Sequence, residues 1–255
     1  MRFRFFCLLV LAGVCWRPLQ AQSNKTTALV DVLKQGKTAF GSMVPDRSEA
    51  GGAKMAQDPN LDFVFYDMER NYDIPTLKTF MKGLRSSGNK TLLVRIPPIG
   101  TEPDKAEARV AELLGAGADG IVFPHIENKR QAELAVQWLS RSSRGLYPQK
   151  ADGQVVGYLM IEDRDAVEHA KEIVGTKGAT MFAPGQSSLG QAYGRDEKAV
   201  ESAIQSILSA CKEMKANCAK LASDADIEQR IKEGFRVLMA PSDVIARGRK
   251  IAGRQ

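Results

Sequence analysis

The sequence predicts an α/β fold, and specifically a (β/α)8 TIM barrel. Short apolar segments alternate with amphipathic segments of helical periodicity along the chain. This alternation is typical of parallel strands joined by helical crossovers. About 230 residues in eight such units fit a closed barrel better than an open sheet. No glycine-rich phosphate-binding fingerprint follows the first strand segment, which disfavours a dinucleotide-binding fold.

The predicted strands are runs of β-branched and large apolar residues, as expected for strands buried on both faces. The longest run, VVGYLMI, is broken only by Gly157 and ends in Glu162 and Asp163. In chain order, the strands are predicted at residues 38–44, 62–67, 90–96, 120–124, 155–161, 179–183, 218–222 and 235–240.

The predicted helices carry apolar residues on one face and charged residues on the other. Gly36 ends the first of them, and Gly115 and Gly117 close the fourth. The helices are predicted at residues 26–34, 48–57, 75–84, 104–114, 129–140, 165–174, 196–215, 226–233 and 242–252.

The amino terminus has the layout of a signal peptide. Two arginines precede an apolar stretch at residues 5–14, and a proline and small residues follow it. A membrane span needs about 20 apolar residues, so this stretch is short for one. We expect residues 1–21 to be removed and residues 22–255 to form a single exported domain, periplasmic or secreted, with no stable membrane span. An uncleaved membrane anchor is the alternative.

Charge and cysteine content restrict the partners of the mature chain. Loss of residues 1–21 removes three arginines and no acid, which lowers the formal charge from +6 to +3. The remaining basic residues alternate with acids, as on a solvated surface, which argues against a nucleic-acid partner. Cys211 and Cys218 remain after cleavage. On one continuous helix they would lie about 10 Å apart, too far for a disulfide. A bond becomes feasible if the helix ends near Lys215, and the sequence leaves both arrangements open.

Polar residues cluster where the predicted strands end. In a barrel, the carboxyl ends of the strands converge on one face, where catalytic residues are found. The candidates are Asp67, Glu69 and Arg70 after the second strand, Arg95 on the third, His125 after the fourth, Glu162 and Asp163 after the fifth, Gln186, Ser187 and Ser188 after the sixth, and Ser242 and Asp243 after the eighth.

Several of these residues allow two interpretations. Arg95 lies in an apolar strand and needs an anionic partner. It either clamps a substrate carboxylate or keto-acid oxygen, which we favour, or pairs with Asp67 or Glu162. Glu162 either binds a hard divalent cation or accepts hydrogen bonds from amides at a helix N-terminus. His125 either reaches the site or caps the next helix, and we favour the cap.

Six segments at these positions form an ordered set: VFYDMER (64–70), LLVRIP (92–97), GADGIVFPHIEN (117–128), MIED (160–163), MFAPGQSS (181–188) and GFRVLMAPSD (234–243). In order and spacing, the set resembles the HpcH/HpaI aldolase/citrate lyase family over roughly residues 27–245. The first segment resembles the Asp-x-Glu-His motif of that family, and the second its strand with the substrate arginine. The fourth resembles the strand with the metal-binding glutamate, and the fifth stands where the family has Gly-Pro-x-Asp-Leu-Ser.

The resemblance implies a barrel of the phosphoenolpyruvate/pyruvate-domain type that makes or cleaves a carbon–carbon bond beside a pyruvate-like carbonyl. It also implies a homo-oligomer, a small keto acid or carboxylate as substrate, and a divalent metal such as Mg, Mn or Co that stabilises the enolate. The positions that it assigns to catalysis hold Asp67, Glu69, Arg70 and Arg95, those for the substrate hold Arg95, Gly185 and Gln186, and those for the metal hold Glu162 and Gln186.

Two positions depart from the family pattern. Arg70 stands where the family has its histidine, and arginine does not lose its proton near neutral pH. Gln186 stands where the family has its second metal carboxylate, and an amide contributes no charge, so metal binding should weaken. We therefore favour a divergent carbon–carbon lyase. The alternatives are a non-catalytic carboxylate-binding protein with Arg70 and Arg95 in a basic pocket, and another enzyme that uses Asp163 or His125.

Overall fold

The computed structural model describes residues 27–254. Its strands are β1 (Ala39–Met43), β2 (Phe63–Asp67), β3 (Thr91–Arg95), β4 (Gly120–Phe123), β5 (Leu146–Tyr147), β6 (Val155–Ile161), β7 (Met181–Pro184), β8 (Asn217–Leu221) and β9 (Val237–Met239). Its helices are α1 (Ala28–Lys34), α2 (Glu49–Gln57), α3 (Ile74–Ser87), α4 (Pro103–Ala116), α5 (Lys129–Ser140), α6 (Arg164–Glu168), α7 (Ala170–Val174), α8 (Gln186–Ala192), α9 (Glu197–Glu213), α10 (Ile227–Glu233) and α11 (Ser242–Ile251).

Eight of these strands close into a parallel barrel. Strands β1 to β4 pair in sequence, β4 pairs with β6, and β6 to β9 continue around until β9 pairs with β1. The short strand β5 adds to the beginning of β6 outside this ring. The (β/α)8 prediction is therefore confirmed.

Two apolar layers hold the barrel together, and the alternation of side chains along each strand separates them. On β2, Phe63 and Phe65 belong to the layer inside the barrel, whereas Val64 and Tyr66 belong to the layer between strands and helices. All four are almost fully buried. A buried side chain of this kind contributes roughly 1.5–3 kcal/mol to folding.

The sequence prediction missed two elements and joined two others. The helix predicted at 165–174 is divided at His169 into α6 and α7. Strand β5 has two residues, too few for a recognisable pattern. Helix α8 has a single buried side chain, Leu189, so it lacks the apolar periodicity that marks the longer helices.

The two cysteines whose pairing the sequence leaves undecided form a disulfide. Helix α9 ends at Glu213, strand β8 begins at Asn217, and Cys211 and Cys218 form a disulfide with their Cα atoms 5.8 Å apart. The predicted signal peptide lies outside the described residues. Between residues 27 and 254, no helix is long and apolar enough to cross a membrane.

Candidate active site

A cavity of about 760 Å³ opens at the carboxyl ends of the strands. Its apolar floor includes Phe65 and Tyr158 from inside the barrel. Two strand-end candidates, Ser242 and Asp243, do not line this cavity. The Ser242 hydroxyl instead donates a hydrogen bond to the carboxylate of Asp58. The other strand-end candidates all line this cavity, namely Asp67, Glu69, Arg70, Arg95, His125, Glu162, Asp163, Gly185, Gln186, Ser187 and Ser188.

Arg95 is held by two carboxylates of the neighbouring strand end. Its Nε lies 2.8 Å from Asp67 Oδ1, its Nη2 2.6 Å from Asp67 Oδ2, and its Nη1 2.9 Å from Glu69 Oε2. Asp67 and Arg95 are direct register partners of β2 and β3, which explains the bidentate fit. Burial would raise the pKa of Asp67, but the hydrogen bonds from Arg95 and from the Glu69 amide outweigh it and lower that pKa.

His125 lies at the centre of the acidic groups. Its Nδ1 is 3.2 Å from Asp163 Oδ2, and its Nε2 is 3.5 Å from Glu69 Oε1 and 3.6 Å from Glu162 Oε2. The interaction with Glu69 raises the pKa of His125 to about 9, against the effect of burial and helped by the charges of Glu162 and Asp163. The ring is therefore an imidazolium near neutral pH, surrounded by carboxylates.

The backbone explains why His125 faces the cavity. Its φ is +49°, in the left-handed region that residues other than glycine seldom adopt. This turn directs the His125 amide to Glu162 Oε2 at 3.0 Å. The sequence favours a helix cap for His125. The structure instead gives the N-cap of α5 to Asn128 and brings the His125 ring into the site.

Glu162 is 2% exposed, and its protein donors are neutral. The His125 amide donates to Oε2, and the Ser188 hydroxyl donates to Oε1 at 3.2 Å. Burial raises the pKa of Glu162, although the positive charges of His125 and Arg95 act in the opposite direction. A Cβ on residue 185 would come within 1.8 Å of Glu162 Oε1, so only glycine fits beside this carboxylate.

Gln186 accepts a hydrogen bond from a cationic side chain that is not among the candidates from the sequence. The ammonium group of Lys220 on β8 donates to the side-chain oxygen of Gln186 and, at 2.6 Å, to the carbonyl of Leu221. Lys220 is 0% exposed, and burial lowers its pKa to about 8, with a further contribution from Arg230. Lys220 could have been found from the sequence by the feature that identified Arg95, namely a basic residue inside an apolar strand.

These contacts do not fit the metal site that the resemblance implies. The Gln186 oxygen already faces an ammonium group, so a second cation there would be repelled. Both oxygens of Glu162 accept hydrogen bonds from the protein. Within residues 27–254, no group of three or more His, Cys, Asp or Glu side chains is arranged to hold a metal ion. The donor set offers one carboxylate, Glu162, where hard divalent cations take several oxygen ligands.

Solved structures share the architecture of the chain. A crystal structure of an HpcH/HpaI aldolase/citrate lyase family protein from Burkholderia cenocepacia J2315 superposes with a TM-score of 0.73 at 22% identity, covering 88% of this chain and 96% of that one. The citrate lyase beta subunit from M. tuberculosis, complexed with oxaloacetate and magnesium, gives 0.63 at 17% identity, covering 86% and 98%. These similarities support the barrel fold.

Sequence comparison identifies the family. The chain is 24% identical, over 88% of its length, to the hydroxypyruvate/pyruvate aldolase of Paraburkholderia phytofirmans (strain DSM 17436 / LMG 22146 / PsJN), of which 94% is covered. The model of the HpcH/HpaI aldolase/citrate lyase family matches residues 56–243, which is most of the chain. The chain therefore belongs to the HpcH/HpaI aldolase/citrate lyase family.

Proposed function

We propose that the chain is a carbon–carbon lyase of the aldolase type that acts on a small 2-keto acid. The family and the curated aldolase relative support this reaction class. The observation that carries the proposal is the position of His125. Its ring lies in the cavity between Glu69, Glu162 and Asp163, and supplies the proton-transferring side chain that Arg70 cannot supply.

Aldol cleavage makes two demands on such a site. A base removes the hydroxyl proton of a 4-hydroxy-2-keto acid, and the C3–C4 bond then breaks. Its electron pair forms the enolate of the shorter keto acid, and an aldehyde leaves. A proton added at C3 completes the keto acid. The site must therefore move protons and stabilise the charge on the enolate oxygen.

The contacts of His125 suit both demands. Asp163 faces Nδ1 and orients the ring, while Nε2 carries its proton on the side of Glu69 and Glu162. Arg95 holds Glu69 through the ion pair between its Nη1 and Glu69 Oε2, at 2.9 Å. A proton on Nε2 stabilises developing negative charge, and the surrounding carboxylates accept protons in turn.

Metal dependence is a separate part of the proposal. The sequence resemblance implied Mg, Mn or Co, which would supply charge stabilisation to the enolate. In this chain, Glu162 is the carboxylate available to such an ion, and the Gln186 oxygen is engaged by Lys220. We expect at most weak divalent-metal binding, measured by titration with Mn²⁺ and by metal analysis of the purified protein.

The decisive experiment follows the exchange of the pyruvate methyl protons with D₂O by NMR, with and without EDTA and with each of Mg²⁺, Mn²⁺ and Co²⁺. A lyase of this type forms the pyruvate enolate, so exchange above the buffer rate is expected. Absence of exchange and of aldol cleavage under all of these conditions would contradict the proposal.

A non-catalytic carboxylate-binding protein is the second candidate. The observation that favours it is the replacement of the family histidine and aspartate by Arg70 and Gln186. Such a protein would be stabilised against heat by pyruvate equally well with and without EDTA, and it would show no exchange of the methyl protons.

We also propose that the chain is exported, with residues 1–21 removed, and that it forms a homo-oligomer. The Cys211–Cys218 disulfide supports export, because such bonds persist mainly in oxidising compartments. Amino-terminal sequencing of protein from the periplasmic or secreted fraction should begin at Gln22. Light scattering of the same material measures the oligomer size.

A further inference from the structure

The cavity is rich in acids, which raises the question of how it attracts an anionic substrate. Its acidic and basic lining consists of four carboxylates, Asp67, Glu69, Glu162 and Asp163, and three basic side chains, Arg70, Arg95 and His125. A carboxylate ligand therefore needs a basic group that is not already neutralised by these acids.

Arg95, the expected clamp, does not meet this requirement. Each of its three side-chain nitrogens faces a protein carboxylate, within 2.6 to 2.9 Å. The side chain is only 17% exposed and its guanidinium lies over the Phe65 ring, 5.6 Å from the centroid. A substrate carboxylate at Arg95 would meet a guanidinium whose charge Asp67 and Glu69 already balance, and those two acids would repel it.

Arg70 has the opposite surroundings. It lines the mouth of the same cavity and is exposed. Its side chain makes no hydrogen bond or ion pair with any residue in the described range 27–254. A guanidinium in this state can offer its planar donor fork to a carboxylate in bidentate fashion.

The backbone that carries Arg70 is well anchored, which distinguishes it from an arbitrary surface arginine. The fully buried Met68 donates its amide to the Arg95 carbonyl at 2.9 Å. The Glu69 amide donates to Asp67 Oδ1 at 3.0 Å, and Arg47 donates to the Asp67 carbonyl at 2.8 Å. The strand end therefore holds the Cα of Arg70 beside the cavity while its side chain remains available.

We propose that Arg70, and not Arg95, binds the carboxylate of the substrate at the cavity mouth. The bound keto acid then points its carbonyl inward, towards His125 and Glu162. Arg95 has a positioning role, because it holds Asp67 and Glu69 in place. The identification of the ligand as a 2-keto acid rests on the proposed function, but the binding of its carboxylate requires no turnover.

The test combines two ligands with several variants and measures binding by calorimetry in the presence of EDTA. Pyruvate carries the carboxylate, and pyruvamide replaces it with a neutral amide. The wild-type protein should bind pyruvate at least tenfold more tightly than pyruvamide. Arg70→Ala should remove this preference by weakening pyruvate binding at least tenfold, and Arg70→Lys should retain part of it.

Arg141→Ala is the matched control, because it makes the same charge change at an exposed site outside the cavity. Its pyruvate affinity should stay within twofold of the wild type. The melting temperature of ligand-free Arg70→Ala should match the wild type, since no protein contact is lost. Wild-type affinity for pyruvate in Arg70→Ala, or no preference for pyruvate in the wild-type protein, would overturn the assignment.

Methyl-proton exchange separates this assignment from the proposed function. Arg70-dependent binding without any exchange in the wild-type protein supports Arg70 as the anchor and contradicts the lyase. Exchange that persists in Arg70→Ala with an unchanged KM supports the lyase and contradicts the anchor.

Discussion

The two ends of the barrel both bury carboxylates, but they neutralise them differently. At the amino end, Asp62 and Asp119 immediately precede β2 and β4 and are 7% and 9% exposed. The Asp119 side chain accepts from the Leu92 amide at 2.8 Å and pairs with Arg85 at 2.5 Å and Arg144 at 3.4 Å.

Asp62 has a similar environment. Its carboxylate accepts from the Phe40 amide at 2.8 Å, contacts Arg254 through both oxygens, and lies 3.5 Å from Arg249. Both aspartates therefore tie neighbouring strands to arginines from distant parts of the chain. Buried charges with this number of partners contribute to the stability of one arrangement.

Glu162 at the carboxyl end is more deeply buried and less well compensated. It accepts bonds from an amide and a hydroxyl, and its nearest cationic atom is His125 Nε2 at 3.6 Å. Buried groups that lack strong partners are costly, and proteins retain them mainly where they act on a ligand. From this comparison we expect substitutions at the amino end to change stability and substitutions at the carboxyl end to change turnover.

If the two ends of the barrel have these separate roles, the largest expected effect is a loss of turnover on substitution of His125. Substitution His125→Ala removes the ring that faces Glu69, Glu162 and Asp163. Loss of a general acid–base group lowers the rate by about 10²- to 10⁴-fold. The rate of aldol cleavage and the exchange of pyruvate methyl protons measure this loss.

His169→Ala is the control, since the chain has two histidines and His169 is exposed, does not line the active-site cavity and has its ring against the Asp165 carbonyl. Its rates should equal those of the wild type. Nearly normal turnover in His125→Ala would remove the chemical role of this residue and leave it as a structural partner of Glu162.

The second effect is on stability, at the amino end. In Asp119→Ala, Arg85 and Arg144 lose their carboxylate partner and the Leu92 amide loses its acceptor. Breaking a largely buried pair of this kind should lower the free energy of unfolding by about 3 kcal/mol. Urea denaturation measures the change, and the kcat of the folded fraction should not change.

Glu107→Ala is the companion variant, because Glu107 pairs with Arg141 where both side chains are half exposed or more. The loss of such a surface pair should cost less than about 1 kcal/mol. If Asp119→Ala lowered kcat while stability stayed normal, the separation of roles between the two ends would be wrong.

The sequence predicted the parts of the fold that depend on local pattern. Apolar runs marked the barrel strands, and the rule that parallel strands converge at their carboxyl ends brought Asp67, Arg95 and Glu162 to one cavity. The sequence named Asp67 and Glu162 as possible partners of Arg95 but could not decide between them, because Asp67 and Arg95 are 28 residues apart and only strand register aligns them.

Other features depended on backbone geometry or on long-range contacts. The orientation of His125 follows from a left-handed backbone conformation that its sequence, PHIEN, does not specify. The amino-end network joins Asp62 to Arg254 across 192 residues. Neither residue lies in a motif. Periodicity and strand-end position therefore located the site, whereas its charge balance required the structure.

The smallest effect that we expect comes from the Cys211–Cys218 disulfide, which joins the end of α9 to the beginning of β8. It closes a short loop, so its removal should lower the free energy of unfolding by about 2 kcal/mol. Urea denaturation of the double variant Cys211→Ala/Cys218→Ala measures the loss of both the bond and the side chains. The reduced wild-type protein lacks only the bond, so the difference between the two gives the contribution of the side chains. Because β8 begins at the amino end, kcat should be the same in both. A fall in kcat that parallels the loss of stability would mean that the amino end controls the geometry of the site, in which case Asp119→Ala should lower kcat as well.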